Sequence, residues 1–202
     1  EFRRVLFRSR KDFKWLNSAG IFTREVMDHQ DFKLAGVAHP PQWLRSAVFY
    51  QIFPDRFARS SAARALPSWT IPRKWDAIPA LKQSEVSQEY YGGDLDGVRE
   101  KLTYLKKLGI KALYFTPIFP SRSNHRYDAS SFDEVDPLLG GDRSLIDLRK
   151  AAASSGIKVM SDLTTNHCGL GHPWIQSALE DKNSVFKEFF YWSKKSKWGY
   201  VG

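Results

Sequence analysis

Three short apolar runs, separated by two helix-patterned segments, constrain this chain more than any other feature. The runs span 47–53, 110–115 and 157–163. Between the first two, Leu95, Val98, Leu102, Leu105 and Leu108 recur at steps of three and four, which predicts an amphipathic helix with one buried stripe. Between the second and third, Leu145, Ile146, Leu148 and Ala152 predict another helix, with these residues facing inward. Strand–helix–strand–helix–strand order implies parallel strands with right-handed crossovers. The apolar and aromatic character of 47–53 predicts a strand buried on both faces.

Local punctuation supports these elements. Asp94 follows Gly92-Gly93 and suits a helix N-cap. Gly109 stands where a left-handed C-cap is wanted, because glycine has no Cβ penalty there. Gly140-Gly141-Asp142 repeats the Gly-Gly-Asp device, and the second helix stops at Gly156. Two connections are long. Residues 59–91 have no sustained periodicity, and Trp69 and Trp75 could line a groove there or form a satellite core. Residues 121–139 hold Asn124, His125, Arg126, Tyr127, Asp128, Asp133 and Asp136-Pro137.

In parallel sheets ligands gather at the carboxyl ends of the strands. Asp162, Asn166 and His167 fall at that end, and so does the loop carrying Tyr127. Histidine and asparagine can donate to sugar hydroxyls; tyrosine can stack on an apolar sugar face while its hydroxyl stays hydrogen-bonded. A metal site is the obvious rival, but no His-x-Glu-x-x-His arrangement or cysteine pair is present. No Gly-x-Gly-x-x-Gly follows a strand, and no glycine-rich phosphate loop carries a lysine.

The formal charge of +9 would favour nucleic acid. The basic residues are scattered, however, with small clusters only at Arg3-Arg4, 8–11 and Lys194-Lys195, so no nucleic-acid partner is expected. One cysteine, Cys168, excludes an internal disulfide and suits a reducing compartment. No apolar run reaches the length of a membrane span, and no secretory signal is apparent.

Residues 1–9 resemble a translated sequencing adapter and are read as a non-native leader, outside fold reasoning. Across 10–38, Phe13, Trp15, Leu16, Ile21 and Phe22 surround an Asn17-Ser18-Ala19-Gly20 turn signal, which predicts two antiparallel strands. Pro40-Pro41 marks a linker, and Trp43 opens the next unit at 42–165. Beyond it, 166–202 carries Gly169, Gly171 and Pro173, then aromatic residues including Trp174, Phe186, Trp192, Trp198 and Tyr200, suggesting short helices.

Several segments together resemble the alpha-amylase family of glycoside hydrolases, nearest to its maltodextrin glucosidase, cyclomaltodextrinase and neopullulanase group. They are Val-Phe-Tyr-Gln-Ile-Phe-Pro-Asp-Arg-Phe at 48–57, Tyr-Gly-Gly-Asp-Leu-Asp-Gly at 91–97, residues 109–117, His-Arg-Tyr-Asp at 125–128 continuing to Asp136-Pro137, and Asp-Leu-Thr-Thr-Asn-His at 162–167. The resemblance implies an α/β fold. The chain would hold the first three strands of a (β/α)8 TIM barrel, a fold of about 250 residues. Residues 10–38 would end a preceding β-sandwich, and 166–202 would begin the subdomain inserted after the third strand.

By the same resemblance, His167 bonds the sugar just before the cleaved bond and Tyr127 stacks on that sugar. Asp162 props the catalytic centre, Asn166 supports the inserted subdomain and binds structural calcium, and His125 lies near the substrate. No cofactor is required for the chemistry. A second calcium would join Gly92 and Asp94 to the loop after the first strand, but 58–65 offers no carboxylate or asparagine, which puts it in doubt. Retaining hydrolysis needs two carboxylates about 5 Å apart. In the family these follow the fourth and fifth strands, so the chain is expected to be an N-terminal fragment, inactive alone. The parent is expected to be a cytoplasmic enzyme cleaving α-1,4 bonds in maltodextrins or cyclodextrins, and a homodimer is compatible with it. The alternatives are a transglycosylase, an α-1,6-active relative or a non-catalytic carbohydrate-binding homologue.

Overall fold

The computed structural model describes residues 5–8, 13–24, 30, 41–62, 64–80 and 82–192. Pro40, Lys194-Lys195, Trp198 and Tyr200 lie outside them. The chain divides into two compact units, Glu1–Ser46 and Ala47–Gly202. No described helix is long and apolar enough to cross a membrane.

In the first unit, β1 (Val5–Arg8), β2 (Phe13–Asn17) and β3 (Gly20–Phe22) form an antiparallel sheet in that order. The turn between β2 and β3 is made locally. Asn17 Oδ1 accepts from the Ala19 amide at 2.9 Å, and Gly20 takes φ 132°. This is the hairpin expected at Asn17–Gly20. β1 lies inside the segment set aside as a leader; its Val-Leu-Phe content is strand-forming. Trp43 sits in a 3-10 turn, Gln42–Ser46, within this unit.

In the second unit the elements run β4 (Phe49–Ile52), α1 (Pro54–Phe57), β5 (Ile71–Pro72), α2 (Gln83–Val86), β6 (Glu89–Tyr90), α3 (Leu95–Glu100), α4 (Leu102–Lys107), β7 (Ala112–Phe115), α5 (Gly141–Ser154), β8 (Lys158–Ser161) and α6 (Pro173–Glu180). β4, β7 and β8 are parallel in that order, with Phe49 opposite Ala112 and Ala112 opposite Lys158. The core lies between this sheet and the helices. Ile52, Leu95, Leu105, Leu113, Phe115 and Leu148 are fully buried in it. Each such side chain contributes about 1.5–3 kcal/mol relative to exposure.

The helices start and stop for identifiable reasons. Asp94 Oδ1 accepts from the Gly97 amide at 2.6 Å, capping α3. The chain loosens at Lys101, yet the apolar stripe continues through Leu102 and Leu105 into α4. The stripe ends differently from expectation, because Leu108 is 51% exposed. Gly109, at φ 80°, donates to Lys106 O, and the Ile110 amide donates to Leu105 O. That is a Schellman motif, and Ile110 takes the buried place next to Leu105. The end of α5 repeats it: Gly156 at φ 74° donates to Ala153 O, and Ile157 donates to Ala152 O.

Three further expectations are corrected. Ile146 is 43% exposed, since the buried line on α5 is Ser144, Leu148 and Ala152, and position 146 lies well off that i, i+4 line. Gly140-Gly141-Asp142 does not repeat the earlier device. Gly140 precedes the helix at φ 103°, and Asp142 accepts from the Val135 amide instead of capping. β4 is not buried on both faces: Val48 and Phe49 are exposed and only Ile52 is fully enclosed. Among the described residues β4 and β8 pair only with β7, so burial concentrates on that central strand.

The long 59–91 connection holds a small satellite core. β5 pairs with β6, and Trp69 meets Tyr90 edge-on at 5.5 Å. Fully buried Glu89 accepts from Arg73 Nε at 2.6 Å and from the Ala80 amide at 3.0 Å. Trp75 remains 42% exposed.

Candidate functional site

The carboxyl ends of β7 and β8 carry two loops that are bonded together. Asp162 leaves β8 with its amide on Phe115 O at 2.9 Å, which fixes it beside the end of β7. Its Oδ2 accepts from Tyr127 Oη at 2.9 Å, and its Oδ1 accepts from the Leu163 amide at 3.0 Å. Asp162 also holds the Tyr114 hydroxyl of β7 above the usual phenol range, hydrogen bonding being the largest cause. Burial first, and then the Asp162 bond, raise Tyr127 as well. Both phenols therefore stay protonated, and Asp162 is the acceptor for Tyr127.

Tyr127 and His125 are presented by a strongly anchored loop. Asn124 Nδ2 donates to Val86 O at 2.6 Å and to Glu89 O at 2.8 Å. Arg126, 1% exposed, donates from Nε to Asp136 Oδ2 at 2.7 Å and from Nη1 to Asn124 O at 2.8 Å. Asn124 and Arg126 turn inward, so His125 and Tyr127 turn outward, their rings 5.9 Å apart. Arg126 takes φ 60°, an uncommon backbone for a long side chain.

The tautomer of His125 follows from its contacts. Nδ1 accepts from the Tyr127 amide at 3.2 Å, which leaves the proton on Nε2, free to donate to a ligand. Burial lowers the pKa of this imidazole; Asp128 opposes that and Arg126 reinforces it. The neutral donor form thus persists at neutral pH. Asp128→Asn removes the opposing charge, so the His125 titration followed by NMR should move further down. An upward or absent movement would contradict the assignment.

The second loop closes onto the first. The Gly169 amide donates to Ala129 O at 2.7 Å, and Phe132 packs on His172 at 5.3 Å. His172 Nδ1 accepts from the Trp174 amide and caps α6, whose first residue is Pro173. Between them lies a cavity of about 780 Å³ lined by Phe132, Asn166, His167, Cys168, Trp174 and Tyr191, among others. His167 is exposed, with Nδ1 3.4 Å from Asn166 Nδ2. Burial raises the Cys168 thiol, which makes it a poor nucleophile.

Of the residues singled out in the sequence, Tyr127, Asp162 and His125 form one cluster, and Asn166 and His167 stand on the cavity wall. Tyr114 and the Arg126–Asp136 pair were not singled out for a role. Tyr114 sits three residues before Pro117, which follows the strand and is the one signal that could have placed it at the strand's carboxyl end.

Calcium takes six to eight oxygen ligands. Among the described residues no group of three or more His, Cys, Asp or Glu side chains could hold a metal ion, and both oxygens of Asp162, near Asn166 in the sequence, already accept hydrogen bonds. At the Gly92–Asp94 turn, the Arg64 guanidinium bonds to Asp94 and Asp96. The residues present do not fit the ion at either place.

Residues 51–199 match the family model described as the alpha-amylase catalytic domain. The chain belongs to the alpha-amylase family. Among curated relatives of this alpha-amylase family chain, the maltogenic alpha-amylase of Bacillus acidopullulyticus is 40% identical over 158 residues, covering 78% of the chain and 26% of that protein. Neopullulanase 2 of Thermoactinomyces vulgaris is 38% identical over 178 residues, covering 87% of the chain and 28% of that protein. The chain thus spans about a quarter of the length of the curated relatives it matches. Among solved structures, the cyclic α-maltosyl-(1→6)-maltose hydrolase of Arthrobacter globiformis in complex with maltose superposes with a TM-score of 0.69 at 32% identity. It covers 80% of this chain and 36% of its own. The three parallel strands and crossover helices described above are the architecture a TIM-barrel glycoside hydrolase repeats.

Proposed function

We propose that the protein carrying this chain is a retaining α-glucan hydrolase that cleaves α-1,4 bonds in maltodextrins or cyclodextrins. The observation that carries this reading is the joining of two loops at one end of a parallel sheet, through Tyr127 Oη on Asp162 and the Gly169 amide on Ala129 O. The names of the relatives agree with it. Residues 42–165 supply the first three strands of a (β/α)8 barrel, 10–38 end a β-sandwich, and 166–202 open an inserted subdomain.

In this reading Tyr127 offers its ring to the sugar face, with its hydroxyl held by Asp162. His125 donates through Nε2, and His167 donates to the same sugar from the cavity wall. Asp162 is a positioning residue. Its two oxygens are engaged, and it is not the nucleophile. The nucleophile and the acid/base, about 5 Å apart in a retaining site, come from later segments of the parent. Residues 1–202 alone should not hydrolyse maltotriose.

The test uses the full-length protein, maltotriose and a cyclodextrin. His167→Ala should lower kcat/KM by about 10²-fold, as for loss of one preorganised donor to developing charge. The melting temperature should hold. A fall in melting temperature with unchanged specific activity would remove His167 from the site. Binding without any turnover by the full-length protein would favour a carbohydrate-binding homologue.

A further inference from the structure

Arg64, Asp94 and Asp96 form a closed ionic cluster between the loop after β4 and the amino end of α3. Arg64 Nη1 donates to Asp94 Oδ2, and Nη2 donates to Asp96 Oδ2 at 2.9 Å. Each carboxylate accepts two further hydrogen bonds. Asp94 Oδ2 also accepts from Ser60 Oγ at 2.6 Å, and its Oδ1 from the Gly97 amide. Asp96 Oδ2 accepts from Ser144 Oγ at 2.7 Å, and its Oδ1 from Arg99 at 3.2 Å. Asp94 is 1% exposed and the Arg64 side chain 19%.

We propose that Arg64 is a built-in cation that replaces calcium at the Gly-Gly-Asp turn, so that this junction is independent of metal. All four carboxylate oxygens already accept a hydrogen bond. The planar guanidinium spans two carboxylates with two fixed donors, a task its geometry suits. A calcium ion would have to expel that side chain and then find six to eight oxygens in a loop, 58–65, that brings no carboxylate or asparagine. The same cluster reaches α5 through Ser144, so the charge of Arg64 also ties the two crossovers together. This inference concerns the scaffold and stands whether or not the proposed activity does.

The experiment is thermal melting of the full-length protein, with chelator and with millimolar calcium chloride, for the parent, Arg64→Met, Asp94→Asn and the double variant. Asparagine remains a good N-cap, so Asp94→Asn should fold. In the parent, any calcium-induced shift should be the same with and without Asp94→Asn, to within about 1 °C. Arg64→Met should lower the midpoint by about 5 °C or more, because it leaves a buried carboxylate without its partner. Calcium should not restore that loss, and the double variant should melt above Arg64→Met, because it strands no buried charge. Should Arg64→Met fail to fold, Arg64→Lys replaces it. Lysine keeps the charge without the fork, so its midpoint should fall and calcium should leave it unchanged. A calcium shift in the parent that Asp94→Asn abolishes would overturn the proposal. So would parent-like melting of Arg64→Met, or recovery of its midpoint on adding calcium.

Discussion

Arg126→Met is expected to destabilise the domain by about 3–5 kcal/mol, the cost of stranding a buried charge. In a protein of this size that is a fall in melting temperature of about 10 °C. Arg126 and Asp136 are 1% and 3% exposed, and among the described residues the Asp136 carboxylate would keep only the Leu138 amide at 2.8 Å as a donor. The Asn124 carbonyl would lose its bond from Nη1, and Tyr90 would lose the guanidinium 5.7 Å from its ring centre. Methionine retains most of the stem volume, so the deficit measures charge and hydrogen bonding. Arg126→Met combined with Asp136→Leu should recover much of the loss, since removing both members of a buried pair is far cheaper than removing one. Denaturant unfolding checks both. A loss below about 1 kcal/mol for the single variant would show that the pair is not what anchors the His125–Tyr127 loop.

Gly169→Ala is the second large effect. A Cβ at this position would lie 2.1 Å from Asp128 O and 2.7 Å from Asp128 C, and both are backbone atoms that cannot swing aside. The two loops must part, at a cost of about 3 kcal/mol. Separation also breaks the 2.7 Å bond from the Gly169 amide to Ala129 O. Hydrogen exchange at the Gly169 amide should accelerate, and the Tyr127 titration should fall toward that of a free phenol as Asp162 draws away. Unchanged exchange at Gly169 would show that the loops do not depend on this contact.

The readability of this chain varied with the range of the interaction. The stripe Leu95, Val98, Leu102 and Leu105 could be read because each member lies three or four positions from the next. The end of that stripe could not, because the choice between Leu108 and Ile110 depends on the turn at Gly109. Asp94 was legible as a cap, a contact within one turn. Tyr127 and Asp162 were each picked out, but their hydrogen bond joins distant parts of the chain, and no pattern announces it. The role of Arg126 is not legible in the sequence, because arginine is mostly exposed and only tertiary structure encloses it. In the 58–65 loop the sequence shows which ligands are lacking, but the pairing of Arg64 with Asp94, thirty positions away, has no local signature.

The matching glycine turns at 109 and 156 have a consequence for how this domain tolerates change. Each delivers its strand directly, so β7 and β8 inherit their alignment from the helices before them. One residue added between Gly109 and Ala112 would send Tyr114 to the side now held by Leu113, and leave Asp162 with one phenol. Length variation should therefore be scarce at these joints and gather instead in the wandering 74–82 stretch, which lies between β5 and α2.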